Sequence, residues 1–352
     1  MRHTGRMPVH IALRCDADPA TGTGHVVRCL GLGDELTARG ARVTILGEIT
    51  GVPWLQDQVE GRSLAVLPAP SDPDALAAES SRLGLDAVVL DGYHLDSGSA
   101  GALGATGVVT LSVLDDSFGG GQEADLYLDQ NFGAHLTPGI PRERQLLGLD
   151  HALFRDEVLR HRPSSPRVLP GGAPRVLAVF GGSDPYAAAP VIVPLLLATG
   201  RPLDVVVVAA RVDVAEALDA VRTGPGQRLE VVSPTPDLAG LAATCDIAVT
   251  AAGSSVWEFL CLGVPAMLVC VVDNQAPGYD AVTGQDLAAP LGHLQDLRHD
   301  RTARDGAVAA TTRLLDDPDR CAALSARGMA LVDGLGRSRV ADALLGAVAS
   351  RR

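Results

Sequence analysis

The feature that most constrains the fold is an alternation of short apolar segments with longer helix-forming segments, which runs through the chain twice. The apolar segments are rich in Val, Ile and Leu, and the segments between them are rich in Ala, Leu and Arg. Continuous apolar strands that alternate with helices indicate an α/β protein with parallel sheets covered on both faces. The predicted strands are 9–14, 42–46, 63–67, 87–90 and 108–113 in the first run, and 175–180, 203–208, 229–232, 247–250 and 266–271 in the second.

A proline-rich segment separates the two runs. Residues 160–174 read RHRPSSPRVLPGGAP, and this density of Pro and Gly excludes an ordinary helix or central strand. We therefore predict an N-terminal domain at 1–160, a linker at 161–174 and a C-terminal domain at 175–352 that ends in helices. Two such Rossmann-like domains, with their parallel sheets facing a central cleft, would bind a ligand at the C-terminal ends of the strands.

Composition narrows the classes of function. The 352 residues are 47% apolar, which is enough for two cores. The net charge of -13, without an extended basic stripe, argues against nucleic acid as a partner. All 29 basic residues are Arg, so neither a lysine Schiff base nor a phosphate-binding loop with its required Lys is available.

The remaining residue patterns bear on location and on metals. Six Cys without a C-x-x-C pair predict buried free thiols in a reducing cytoplasm. Residues 1–10 lack the apolar stretch of a signal peptide, and no apolar run is long enough for a membrane span. We therefore expect a cytoplasmic protein. We also expect that it uses no cofactor, and that it binds no metal ion because no H-x-x-x-H or Cys/His spacing occurs. The sequence leaves the oligomeric state open.

A first candidate motif is GTGH at residues 22–25, directly after the first predicted strand and at the start of a helix predicted at 24–39. Glycines allow a tight turn and a close approach to a ligand, although Val27 breaks the dinucleotide-binding pattern. The positive potential of a helix N-terminus disfavours an imidazolium, which would keep His25 available as a neutral base. A structural or capping histidine is the alternative.

Two further turns combine small and polar residues after predicted strands, FGGSDP at 180–185 and TAAGSSVWE at 250–258. In the second, the first N–H groups of a helix and two serine hydroxyls can hold a diphosphate. Glu258, one turn into that helix, can accept hydrogen bonds from ribose hydroxyls. The structural alternatives are a tight turn in the first case and a capping box formed by Ser255 and Glu258 in the second.

Polar residues also follow other predicted strands. They form DGYHLD at 91–96, DDS at 115–117 and DNQ at 273–275. Each segment taken alone is typical of a turn. Because the carboxyl ends of parallel strands lie at one edge of a sheet, their shared location predicts a ligand site there.

In this order, the motifs resemble those of the UDP-sugar hydrolases of pseudaminic acid biosynthesis (PseG type) and of the related spore-coat polysaccharide proteins (SpsG type). The resemblance runs from about residue 11 to about residue 294. The segments that carry it are RCDADPATGTGHVVRCLGL at 14–32, VVLDGYHLD at 88–96, LDDS at 114–117, ADLYLDQN at 124–131, LLGLDHALFRDE at 146–157, VFGGSDP at 179–185, TAAGSSVWEFLCLGVPA at 250–266 and VDNQ at 272–275.

The resemblance implies a GT-B-like fold, with the sugar on the N-terminal domain and UDP on the C-terminal domain. It implies that water, activated by His25, releases UDP from a 2,4-diacetamido-2,4,6-trideoxy-hexose with inversion. Tyr93 matches an aromatic residue that lies near the sugar in those hydrolases, and Asn274 matches an asparagine that lies near their substrate. The catalytic residues that the resemblance implies are therefore His25, Tyr93 and Asn274. The residues expected to bind the nucleotide are Gly22, Gly24, Gly182, Ser183, Gly253, Ser254, Ser255, Val256, Glu258 and Gln275.

Three other functions remain open on the same scaffold. A metal-independent glycosyltransferase would move the sugar to an acceptor hydroxyl of a polysaccharide or natural product. A sugar-nucleotide epimerase would need further acid and base carboxylates around the sugar. A non-catalytic nucleotide-sugar-binding protein would have no use for the base in the GTGH motif, which argues against it.

Overall fold

The computed structural model describes residues 8–114, 119–169 and 171–352, and the chain divides into two units. The first unit takes the chain up to Asp156 together with Gly334–Arg352, and the second unit is Glu157–Asp333. Each unit has a parallel sheet with helices packed on it, as the alternation of apolar and helix-forming segments predicts.

The first unit has a seven-stranded sheet in the order β3-β2-β1-β4-β5-β6-β7. The strand order reverses between β1 and β4. Because these two strands are parallel, their C-terminal ends lie at the same edge of the sheet. The strands are β1 (His10–Arg14), β2 (Arg42–Leu46), β3 (Ala65–Leu67), β4 (Ala87–Leu90), β5 (Val109–Val113), β6 (Leu126–Asp129) and β7 (Gln145–Leu147). The helices before the second unit are α1 (Gly24–Ala38), α2 (Pro53–Gly61), α3 (Pro73–Leu83) and α4 (Ser99–Ala105), and α5 (Asp156–Arg160) crosses the boundary between the two units.

Helix α1 lies close to the sheet because small residues line part of its buried face. A Cβ atom on Gly33 would lie 3.3 Å from Leu13 of β1, and one on Gly31 would lie 2.8 Å from the backbone of Phe154. Val26 and Leu30 complete the buried face. The close fit sets the position of the first turn of α1, which carries His25.

The second unit has a six-stranded sheet in the order β10-β9-β8-β11-β12-β13. The reversal lies between β8 and β11, whose residues pair in register from Val176 with Ile247 to Val179 with Thr250. The strands are β8 (Arg175–Val179), β9 (Leu203–Val208), β10 (Gln227–Val232), β11 (Ile247–Ala251), β12 (Ala266–Cys270) and β13 (Ala289–His293). The helices are α6 (Ala189–Leu197), α7 (Val212–Asp219), α8 (Leu238–Ala243), α9 (Ser255–Cys261), α10 (Ala276–Gly284), α11 (Leu294–His299), α12 (Arg301–Leu315) and α13 (Pro318–Leu331).

Every predicted strand is present, and the described residues also contain three strands that were not predicted: β6, β7 and β13. β7 is too short to give an alternating pattern. β13 contains Pro290, which is tolerated because β13 is an edge strand. The six cysteines are buried and free, as their spacing predicts. Within the described part of the chain, no helix is both long and apolar enough to cross a membrane.

The predicted boundary of the C-terminal domain is wrong at its end. The last helix, α14 (Gly336–Arg351), returns to the first unit. Its buried residues Val340, Leu344 and Val348 share the apolar core of the first unit with Leu30 of α1. An amphipathic helix folds onto whichever apolar surface it can cover, so sequence order did not reveal its partner.

The predicted linker is also part of a packed unit. Residues 161–169 and 171–174 belong to the second unit and do not form a separate linker. Arg162 donates a hydrogen bond of 2.9 Å to the carbonyl of Met329, and Arg167 donates one of the same length to the carbonyl of Ala243. Prolines exclude a regular element from this segment, but arginine side chains hold it against the unit.

Candidate active site

Polar residues of the first unit meet around a cavity of about 400 Å³ at the C-terminal ends of its strands. The walls come from five segments: the end of β1 with the loop that follows it, the start of α1, the turn after β2, the segment after β3 and the loop after β4. His25 and Tyr93, two of the predicted catalytic residues, both line it. The sheet therefore brings together residues that lie far apart in sequence, as the strand-end argument predicts.

His25 forms a buried pair with Asp91. His25 is the second residue of α1, Asp91 directly follows β4, and Nδ1 of the imidazole lies 2.7 Å from Oδ1 of the carboxylate. Both side chains are buried, Asp91 completely. Because a carboxylate only accepts, Nδ1 carries the proton, and the lone pair of the neutral imidazole is then at Nε2.

Arg28 holds the same carboxylate from one helical turn further on. Its Nε donates to Oδ2 of Asp91 at 2.6 Å and its Nη2 donates to Oδ1 at 2.5 Å, which is a bidentate ion pair. Nη2 also lies 3.2 Å from Nδ1 of His25, but both nitrogens bear protons directed at Asp91. The carboxylate is thus fixed in position by its ion pair with Arg28.

The charge state of Asp91 follows from its interactions with Arg28 and His25. Complete burial by itself raises the pKa of the carboxyl group, but the Arg28 charge and the hydrogen bonds from Arg28 and His25 outweigh it. The net effect lowers the pKa of Asp91 to about 2. Asp91 therefore stays ionised at neutral pH and stabilises a positive charge on His25.

Tyr93 packs on the imidazole. The two rings meet edge to face, with centroids 4.8 Å apart and planes at 84°. Tyr93 is 55% exposed, so a large part of its ring remains accessible beside His25. The arrangement offers a base and an apolar ring surface to the same ligand.

Sequence reasoning did not assign Asp91 and Arg28 to the catalytic group. Asp91 was only one of several polar residues after strands. Arg28 gave one usable signal, its spacing of three residues from His25, which places both on the same face of a helix.

The glycines of the GTGH motif shape the entry to α1. Gly22 has a φ of +84°, in the left-handed region that favours glycine. Its N–H donates to the carbonyl of Asp18 at 2.9 Å, and the Asp18 carboxylate accepts the N–H groups of Ala20 and Thr21. Gly24 begins the helix and is exposed.

In the second unit, the first predicted binding turn follows β8. Gly182 is exposed and Ser183 is half-buried. The next residue, Asp184, is buried, and its carboxylate accepts the N–H groups of Ala188 and Ala189 at 2.8 and 2.9 Å. Burial raises the pKa of Asp184, with these hydrogen bonds acting against it. The turn thus has a structural anchor, and Gly182 and Ser183 lie on its accessible side.

The second predicted turn leads into α9, and the capping-box alternative does not apply there. The N-cap residue is Ser254, whose side chain makes no capping hydrogen bond, and the helix begins at Ser255. A capping box would place the Glu at the third helical residue, which is Trp257, whereas Glu258 is the fourth. The helix start at Ser255 therefore does not fit a capping box formed by Ser255 and Glu258.

The structure brings this turn next to the DNQ segment. A Cβ atom on Gly253 would lie 3.7 Å from Nε2 of Gln275, and Oε1 of Gln275 accepts the N–H of Val271 at 3.2 Å. Asn274 is exposed. Since β8, β11 and β12 are neighbours in the sheet, the three predicted binding segments follow adjacent strands.

Two buried polar atoms near the second turn have no hydrogen-bond partner among the described residues, Oγ1 of Thr250 and Nε1 of Trp257. Val256 is buried and Ser255 half-buried, while Ser254 is exposed. The DDS segment at 115–117 lies outside the described residues. Across residues 8–114, 119–169 and 171–352, no group of three or more His, Cys, Asp or Glu is placed to hold a metal ion.

Comparison with known proteins gives limited sequence similarity and extensive similarity of fold. No known protein-family profile matches the chain. The spore coat polysaccharide biosynthesis protein SpsG of Bacillus subtilis is 32% identical over 111 residues, which is 32% of this chain and 31% of that protein. The chain thus matches about a third of the length of that curated relative.

Several solved structures superpose over nearly the whole chain. MurG of Acinetobacter baumannii has a TM-score of 0.66 at 16% identity and covers 96% of this chain and all of that one. The calicheamicin glycosyltransferase CalG4 has a TM-score of 0.63 at 17% identity and covers 98% and 99% of the two chains. UGT89C1 of Arabidopsis thaliana, in complex with UDP, has a TM-score of 0.63 at 16% identity and covers 97% and 99%. The protein therefore has the GT-B fold of two parallel-sheet α/β domains, as the sequence predicts.

Proposed function

We propose that this protein is a GT-B glycosyltransferase that takes a sugar from a nucleotide-sugar donor, with His25 as the general base. The observation that supports this most strongly is the buried His25–Asp91 pair on the wall of the cavity. A base held by a charged carboxylate is what deprotonation of a hydroxyl requires. Proteins that share the fold include the glycosyltransferase CalG4.

The proposed reaction uses His25 and Asp91 in sequence. As an acceptor oxygen attacks the anomeric carbon, its proton moves to Nε2 of His25, and the bond from that carbon to the diphosphate oxygen breaks. The leaving nucleoside diphosphate takes the bonding electrons. The imidazolium that forms is stabilised by Asp91, whose lowered pKa keeps it charged. A base in this role typically contributes about 10²–10⁴-fold in rate.

The nucleotide is proposed to bind at the strand ends of the second unit. Exposed or half-buried polar groups follow three adjacent strands there, including Ser183, Ser254 and Gln275. Glu258 would accept hydrogen bonds from the ribose, and Asn274 would contact the substrate. UGT89C1, which shares the fold, has been solved with UDP.

Hydrolysis is the second candidate. The motifs at 14–32 and 88–96 resemble those of UDP-sugar hydrolases, and the same base can deprotonate water in place of an acceptor hydroxyl. The proposed hydrolytic substrate is a UDP-linked 2,4-diacetamido-2,4,6-trideoxy-hexose. The two reactions differ only in which oxygen reaches the anomeric carbon.

One assay separates the two candidates. UDP release is measured from a panel of UDP-sugars, including UDP-N-acetylglucosamine and the UDP-diacetamido-trideoxy sugar, in ¹⁸O-labelled water with and without acceptor sugars. Release that requires an acceptor, with the sugar recovered on it, supports the transferase. Acceptor-independent release with label in the free sugar supports the hydrolase. UDP binding without release from any donor would contradict both.

Variants then assign the roles of the two units. His25→Gln should lower turnover by at least about 10²-fold while UDP affinity by calorimetry is unchanged, and Glu258→Ala should weaken UDP binding. His135→Gln is the matched control, because His135 is an exposed histidine of the first unit that does not line the cavity. Equal loss of turnover and UDP affinity in His25→Gln would overturn the assignment.

A further inference from the structure

A second group of polar residues lines the same cavity and is centred on Asp16. Oδ2 of its carboxylate accepts Nη1 of Arg14 at 2.5 Å and lies 2.7 Å from Nε2 of His94. Oδ1 accepts the backbone N–H of Glu48 at 2.6 Å. One carboxylate thus joins the segments that follow β1, β2 and β4.

Nε2 of His94 has two polar neighbours. Oδ2 of Asp16 lies 2.7 Å away as an ion-pair contact, and Nη2 of Arg14 lies at 3.2 Å, where it can donate to the ring nitrogen. Arg14 is only 4% exposed, so its charge needs the Asp16 carboxylate beside it. His94 therefore contacts an Arg14–Asp16 pair whose two members hold one another in place.

The loop after β4 is consequently fixed at both ends. At one end Asp91 accepts hydrogen bonds from His25 and Arg28, and at the other His94 contacts Asp16 and Arg14. The His94 ring also lies against Gly92, where a Cβ atom would be 3.5 Å from its Cε1. Tyr93, between the two anchors, packs on the ring of His25.

We propose that His94 is a positioning residue for substrate: through Asp16 it holds the loop that keeps Tyr93 against His25 in the sugar-binding part of the cavity. This inference rests on the proposed function, because it assigns Tyr93 a contact with the sugar. His94 does not touch the His25–Asp91 pair, so losing it leaves the base intact. Its removal weakens binding of the sugar more than it slows the chemical step.

The kinetic test uses four variants: His94→Ala, His94→Gln, Tyr93→Ala and the double variant Tyr93→Ala with His94→Ala. In His94→Ala, KM for the nucleotide-sugar rises about tenfold while kcat changes less than threefold. His94→Gln restores KM, because the Gln amide carries both an acceptor for Arg14 and a donor for Asp16. In a Tyr93→Ala background, His94→Ala has no further effect on KM, since both act through one contact. Additive effects, or failure of Gln to restore KM, would overturn the proposal.

A second measurement needs no turnover. The chain has four tyrosines, Tyr93, Tyr127, Tyr186 and Tyr279, so fluorotyrosine labelling gives four ¹⁹F resonances, and Tyr93→Phe identifies one. That resonance shifts in His94→Ala and returns in His94→Gln, whereas His135→Ala leaves it unchanged. If the ¹⁹F resonance of Tyr93 does not change in His94→Ala, the anchoring role of His94 is refuted, even when the variant is active. A shift in a protein that turns over no nucleotide-sugar would instead count against the proposed function.

Discussion

At the scale of single residues, the site depends on a carboxylate that is completely buried and still charged. Arg28 and His25 together give Asp91 three charge-assisted hydrogen bonds, at 2.5–2.7 Å. A buried carboxylate without such partners would bind a proton at neutral pH and lose its effect on His25. The three side chains therefore depend on one another. Arg28 and His25 keep Asp91 ionised, and Asp91 holds the tautomer and orientation of His25.

The first prediction concerns the charge of Asp91. Asp91→Asn keeps the shape of the side chain but removes the charge, and its amide N–H₂ can force the other imidazole tautomer. We expect turnover to fall by about 10²–10⁴-fold, with the circular dichroism spectrum retained. Steady-state UDP release measures the effect, with Asp57→Asn, at an exposed position, as the control. Activity near that of the control would show that His25 does not depend on Asp91.

The second prediction concerns stability in acid. Because folding lowers the pKa of Asp91 from 3.8 to about 2, its ionisation stabilises the folded state above the higher value, by about 2 kcal/mol. This contribution falls as the pH drops from about 4 to about 2. Urea unfolding at several pH values should show the difference between wild type and Asp91→Asn shrinking over that window. A difference that stays constant down to pH 2 would contradict the lowered pKa.

At the scale of elements, α1 is held between the sheet and the last helix. Arg39, just after α1, donates to Oγ of Ser338 at 2.6 Å, and Arg337 lies 3.3 Å from Glu35. The apolar face of α14 covers the core residues of α1. The position of His25 thus depends partly on residues more than 300 positions away along the chain.

The third prediction tests the docking of α14. A Cβ atom on Gly336 would overlap the backbone of Ala152, so Gly336→Ala must displace the start of the helix. We expect a loss of stability of about 1–3 kcal/mol. Gly346→Ala, in the same helix with open space around its Cβ, is the control and should be neutral or stabilising by up to about 1 kcal/mol. Equal melting temperatures for the two variants would argue against tight docking.

At the scale of the whole molecule, each unit has its own apolar core. Leu344 is fully buried in the core of the first unit, and Leu324 is almost fully buried in the core of the second. The first core draws on both ends of the chain, because α14 completes it. The second core is built from one continuous segment.

The fourth prediction follows from these separate cores. Leu344→Ala and Leu324→Ala should each destabilise the protein by about 2–5 kcal/mol. Amide hydrogen exchange should increase in β1 and β2 for Leu344→Ala and in β8 and β11 for Leu324→Ala. The two variants serve as controls for one another. Faster exchange in both units from either variant would show that the two cores unfold together.

Much of this organisation was predictable from sequence because it depends on local preferences. Apolar runs and glycine turns identified the parallel strands, and strand-end position predicted that the segments containing His25 and Tyr93 lie at one edge of the sheet. The missed strands β7 and β13 are short or contain Pro and Gly, and they pair only because a neighbouring strand offers its edge. The domain boundaries were predicted less well, because they depend on which core a helix covers.

The sequence by itself determined the fold class and predicted that His25 lies at the start of a helix beside a strand end, since strand periodicity and the turn before α1 are encoded in consecutive residues. Only the tertiary structure decided that Asp91, 66 positions from His25, is its partner, and that α14 completes the first unit. The physical reason is that hydrogen bonds and apolar contacts depend on distance in space. The strand order of a sheet sets that distance, and no local pattern in the sequence records it.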